Sequence, residues 1–157
     1  MSKNRGGTES LKRKINALNA LKDELPNILA NDMTNFFKKS FRKQGWDDGN
    51  FQKWQPRKGE ITGGIAQVSK KSAGGRAILV KTGDLVNSLE IESANWKRIR
   101  IKSDLPYAAI HNEGKQGLAF GKHSFKMPQR KFMGNSRTLM NQLKEKMEKK
   151  MNIVFRK

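Results

Sequence analysis

From Leu11 the apolar positions are Ile15, Leu18, Leu21, Leu25, Ile28, Leu29, Met33, Phe36, Phe37 and Phe41. Steps of three and four place them on one face of an α-helix. Thr8 or Ser10 is the expected cap, and residues 1–7, polar and glycine-ended, are expected to be disordered. Pro26 lacks an N–H and disfavours helical geometry at Leu25, so the pattern predicts either one kinked helix or two in succession. Gly45 is expected to end it. A turn-rich loop follows from Trp46 to Trp54, around Asp-Asp-Gly-Asn.

Residues 58–76 carry five glycines and little periodicity, which predicts a mobile basic loop. Ala77 to Lys81 reads as a short apolar strand. After a turn at Thr82-Gly83-Asp84-Leu85, Leu89, Ile91 and Ser93 alternate with Glu90 and Glu92. Ile99 and Ile101 then alternate with Arg98, Arg100 and Lys102. Period two on both sides of Asn95 predicts a hairpin with Ile99 and Ile101 turned to the core.

Pro106 suits a first helical position, with a short helix over 107–112 ended by Gly114. Residues 115–126 read as a loop with Phe120 and Phe125 as anchors, and 127–130 as extended chain. Asn135 or Ser136 is the expected cap of a final surface helix, striped by Leu139, Leu143, Met147 and Met151. Ile153, Val154 and Phe155 suggest a last strand. No internal repeat is present.

Composition narrows the function classes. With 157 residues a single domain spanning 1–157 is expected. The absence of cysteine removes disulfide and thiolate chemistry and fits a reducing cytoplasm. No apolar run approaches the roughly 20 residues of a membrane span, and the N-terminus has no signal-peptide core, so no membrane partner is expected. Thirty-three Lys and Arg oppose fourteen Asp and Glu, a formal net charge of +19. Such a field draws polyanions. The contact candidates are Arg57, Lys58, Lys70, Lys71 and Arg76. No zinc finger, RNP run or helix-turn-helix accompanies them, so any DNA contact would be non-specific and steeply salt-dependent.

Catalytic signals are thin. His111, Glu113 and His123 are the one group with metal or acid–base chemistry, but a helix would point His111 and Glu113 apart. The bland alternative is a histidine bonded to backbone near the turn. Ser40 to Lys43 and Lys81-Thr82-Gly83 match two of three penicillin-binding signatures by chance: the third is absent and the chain is too short. Asp47 and Asp48 read as solvated turn carboxylates. No enzyme activity, cofactor or metal is expected.

The most informative stretch is Tyr107 to Phe132. It holds Tyr107-Ala108-x-Ile110-His111-x-x-Gly114 and, thirteen residues after Gly114, Met127-Pro128-x-Arg130-x-Phe132. Upstream lie Trp54-x-Pro56 and Gly83-x-Leu85. In this order the four pieces resemble the phage virion morphogenesis family, the Mu-like tail completion proteins. The resemblance implies an α+β fold, with an antiparallel sheet packed against the long N-terminal helix and the final helix on one edge. It implies a structural subunit that joins or finishes the tail at the head–tail interface, as a ring of six copies beside connector or tail proteins. That places the protein in the virion, after assembly in the host cytoplasm. The alternative is a non-specific nucleic-acid-binding protein. Trp54 reads either as the closing edge of the core or as an interface anchor. Gly114 is expected to supply a left-handed cap, and Arg130 to fork onto a carboxylate or carbonyls of a neighbouring segment.

Overall fold

The computed structural model describes residues 5–56, 77–119 and 123–156. The first helix, α1 (Arg5–Lys43), is a single α-helix with Pro26 inside it. Its first residues, 5–7, belong to the stretch expected to be disordered, and residues 1–4 lie outside the described residues. Thr8 and Ser10 are interior rather than caps, because a nucleated helix extends at little cost per residue. Pro26 leaves the carbonyl of Lys22 without its usual i+4 donor. The indole Nε1 of Trp96 donates to that carbonyl at 2.7 Å. The helix therefore passes through the proline without becoming two.

The helix stops at Gln44, not Gly45. Gln44 takes φ 55°, and its carbonyl accepts the Trp54 N–H at 2.8 Å. Where a turn-rich loop was expected, β1 (Gly45–Asp47) and β2 (Phe51–Lys53) form an antiparallel hairpin around the Asp-Asp-Gly-Asn turn. The turn chemistry was read correctly, but three-residue strands are too short to show alternation.

The strand expected at 77–81 is a turn. Leu79 sits at φ 62°, which extended chain excludes. The Ile78 N–H and C=O both bond the side-chain amide of Gln44, so they are not available to a ladder. Residues 84–87 form a short helix, α2 (Asp84–Asn87), preceded by Gly83 at φ 84° and burying Leu85.

The predicted hairpin is present as β3 (Glu90–Asn95) and β4 (Arg98–Lys102). Asn95 Oδ1 accepts the N–H groups of Lys97 and Arg98, so Asn95 shapes the turn. A bulge between Ile91 and Ser93 shifts the register, so Ala94 rather than Ser93 faces Ile99. Ile99 and Ile101 pack against the core as expected.

Helix α3 (Pro106–Glu113) begins with its proline and ends at Gly114. The expected loop at 115–126 is instead a third hairpin, β5 (Gln116–Ala119) with β6 (His123–Lys126). Glycine and charge mask its periodicity in the sequence. Phe120 lies outside the described residues. Helix α4 (Arg137–Arg156) runs through Ile153, Val154 and Phe155, so no final strand forms. Ser136 caps it, its Oγ accepting the Leu139 N–H at 3.1 Å.

The fold is α+β, but among the described residues its strands stand as three separate two-stranded hairpins rather than one sheet. Helix α1 packs against β1, β3, β4 and α4. The core joins Phe36, Phe37 and Phe41 of α1 to Trp46, Trp54, Leu85, Leu89, Phe132, Leu139 and Leu143. Phe41 and Phe132 are its largest fully enclosed side chains, with ring centroids 5.0 Å apart. Asp47 and Asp48, expected to be solvated, tie the first hairpin to α4. Asp48 Oδ1 accepts the Arg137 N–H at 2.7 Å and Asp47 Oδ1 accepts the Thr138 hydroxyl at 2.7 Å.

Candidate functional site

Pro56, His111, Gly114, Met127, Pro128 and Arg130, from three of the motif pieces, converge on one cleft of about 880 Å³, where α3, the 127–133 segment and the ends of two loops meet. Its walls include Pro56, Leu79, His111, Glu113, Pro128 and Arg130. Three of the four sequence pieces, far apart in the chain, are thus brought together here by tertiary packing.

Backbone bonds hold the wall in register. The Arg130 N–H donates to the His111 carbonyl at 2.8 Å, and the Gly114 N–H to the Ile110 carbonyl at 3.0 Å. Gly114 has φ 69°, a left-handed conformation in which L side chains are strained. A Cβ there would lie 2.9 Å from Gln129 Cβ and 3.0 Å from its Cα and N. Glycine is therefore required twice, by φ and by the close passage of the 127–133 segment. Pro128 lines the cleft beside it.

Arg130 is 5 % exposed. Its Nε donates to the Gln55 carbonyl at 3.2 Å and an Nη to the Pro56 carbonyl at 3.5 Å. Another Nη meets the Met127 sulfur at 3.6 Å. The expected fork onto carbonyls of a neighbouring segment is what forms. The planar guanidinium spans two successive carbonyls, which a lysine ammonium cannot reproduce. This clamp fixes the Trp54-x-Pro56 piece to the 127–133 segment. Trp54 completes the join: it is 4 % exposed, its Nε1 donates to the Lys131 carbonyl at 2.8 Å, and its ring meets Phe41 edge-on at 5.6 Å. It closes the core.

His111 does not form the backbone hydrogen bond expected of it. Its Nδ1 is enclosed with no partner, and its ring meets Tyr107 edge-on at 6.1 Å. Burial, and secondarily the Arg130 charge, lower its pKa from the ordinary 6.5. A neutral imidazole beside a fixed cation suits packing rather than proton transfer. Glu113 pairs with Lys115 at 2.6 Å instead. No group of three or more metal-binding side chains occurs among the described residues.

Asn112 is a residue the sequence reading missed. Its Oδ1 accepts the N–H groups of both Phe132 and Met133, at 2.9 and 3.1 Å. It pins the extended segment so that Phe132 is fully buried. An asparagine inside a helix gives no local sign of such a role; only its place between His111 and Gly114 hinted at one. Gly83 and Leu85 lie apart from the cleft walls, at the start of α2. Arg57, Lys58, Lys70, Lys71 and Arg76 lie outside the described residues.

The motif geometry coincides with a family match over residues 7–152, to the phage virion morphogenesis family. The chain belongs to the phage virion morphogenesis family. No curated protein and no solved structure matches it. Members of this family are structural rather than enzymatic, so the chain is a virion-associated structural protein with a role in phage morphogenesis. In this family member, Trp54, Gly114, Arg130 and Phe132 form the frame that locks α3 to the helical core. No described residue of any helix is part of a stretch long and apolar enough to cross a membrane.

Proposed function

We propose that the chain acts in tail completion, joining or finishing the tail at the head–tail interface as one subunit of a ring of six copies. Connector or tail proteins are its neighbours, and assembly takes place in the host cytoplasm. One observation supports this reading above others: the family signature is used to build a rigid frame, in a chain that matches the family over nearly its whole length. A subunit of a joint needs fixed shape, and the Arg130 clamp, the Asn112 staple and the Gly114 turn supply it.

Virions produced without this protein provide the test. Negative-stain images should show tailless heads beside free tails. Normal virions would sink the proposal.

The +19 charge favours a second reading, non-specific nucleic-acid binding. Neutralising Lys58, Lys70, Lys71 and Arg76 separates the two. The substitution should weaken DNA binding and reduce its salt slope by about one for each lost phosphate contact. Tail joining that persists in this variant supports the tail reading. Loss of joining in step with DNA affinity supports the nucleic-acid reading. Arg130→Ala is unsuited to this comparison, because its side chain is interior.

A further inference from the structure

The apolar stripe of α1 does not end where the core ends. Leu25 and Leu29 are 2 % and 7 % exposed, yet Leu11 and Ile15, which continue the same face toward the N-terminus, are 60 % and 47 % exposed. Helix α4 behaves alike: Leu139 and Leu143 are buried, while Met151, Ile153 and Phe155 are exposed by 41 to 53 %. These two bare ends meet. Lys14 Nζ donates to the Phe155 carbonyl at 3.4 Å, and Lys146 pairs with Asp32 at 2.7 Å further along the same helix pair. The result is a two-helix arm reaching past the core, with Leu11 and Ile15 exposed four residues apart on α1, Met151 and Phe155 exposed four residues apart on α4, and Ile153 exposed on another side of α4.

Charge decides what can cover it. Residues 5–22 and 144–156 hold ten Lys and Arg against three Glu. A second copy of this arm would bring like charges together over the apolar patch, at an electrostatic cost. A nucleic acid would satisfy the cations but leave the Leu, Ile, Met and Phe side chains without apolar contact. An acidic helix with one apolar face satisfies both requirements, packing as a third helix against the exposed ends of α1 and α4.

We propose that this arm is a docking site for an acidic amphipathic helix of a partner protein. Such a helix would fit the arm whether or not the chain closes a tail.

Three synthetic peptides, each about three heptads long, test the proposal against the full chain. One has Leu at a and d and Glu elsewhere; a second replaces Leu with Ser; a third replaces Glu with Lys. Only the first should bind measurably at physiological salt. The double variant Leu11→Ser with Phe155→Ser should weaken that binding roughly tenfold or more. Both positions are exposed, so helix content by circular dichroism should not change. Equal binding of the Leu and Ser peptides, or no loss in the double variant, overturns the proposal. So does a dimer in sedimentation, or binding to phosphatidylglycerol vesicles, that the double variant abolishes. Those outcomes assign the arm to a second copy or to a lipid surface.

Discussion

Arg130 links two chain segments through geometry more than charge. Because two carbonyls share its fork, Arg130→Lys should rescue little of what Arg130→Ala loses. Each variant should be less stable by about 2 kcal/mol in urea unfolding. Gly114→Ala places a Cβ against Gln129 at φ 69°. That substitution should cost about 2 kcal/mol or more by the same measurement. His111 adds a pH dependence. Folding lowers its pKa, so below the ordinary 6.5 the unfolded chain binds more protons than the folded one. Stability should therefore fall as pH drops from 7.5 through 6.5, and level once the folded-state imidazole is also protonated. His111→Gln should flatten that part of the urea-midpoint profile. An unchanged profile would show that His111 is not the group responsible.

At the scale of elements, the long helix and the β3–β4 hairpin stabilise each other through one indole. Pro26 orphans the Lys22 carbonyl, and Trp96 supplies the missing donor from the hairpin turn. Trp96 is 54 % exposed, so its hydrogen bond rather than its burial is the larger part of its role. Trp96→Phe should cost about 1 kcal/mol with Pro26 present. With Pro26→Ala, the helix regains its own N–H donor at that carbonyl, and the cost of Trp96→Phe should fall toward zero. A double-mutant cycle measured by urea unfolding isolates this coupling. Additive effects would mean that the indole stabilises the fold in some other way.

For the whole molecule, a net charge of +19 on 157 residues means self-repulsion in the compact state. Raising salt screens it, so the thermal midpoint should climb by a few degrees between low and roughly physiological ionic strength, where the Debye length is about 8 Å. A midpoint that falls instead would show that attractive ion pairs, such as Lys146 with Asp32, outweigh the repulsion. The same charge makes copies of the chain repel one another at low salt.

The sequence by itself determined α1, α3, α4 and the left-handed turn. Apolar spacing marked α1 and α4; Pro106 and Gly114 bounded α3; Ser136 marked the start of α4; alternation marked β3 and β4. These signals are local, because capping, φ preference and periodicity act within a few residues. The four motif pieces and their order were also legible, and they carried the family. Only the tertiary structure decided how those pieces meet. Arg130 reaches carbonyls 74 and 75 residues away in sequence, and no local pattern encodes that partner. The strand expected at 77–81 became a turn because Gln44, far upstream, captured the backbone of Ile78. Asp47 and Asp48, still partly exposed, bond to α4, and Asn112 gained a role no helix position predicts. In each case a polar side chain found a distant partner, most often a backbone group, and such pairings exist only after the core has brought the segments together.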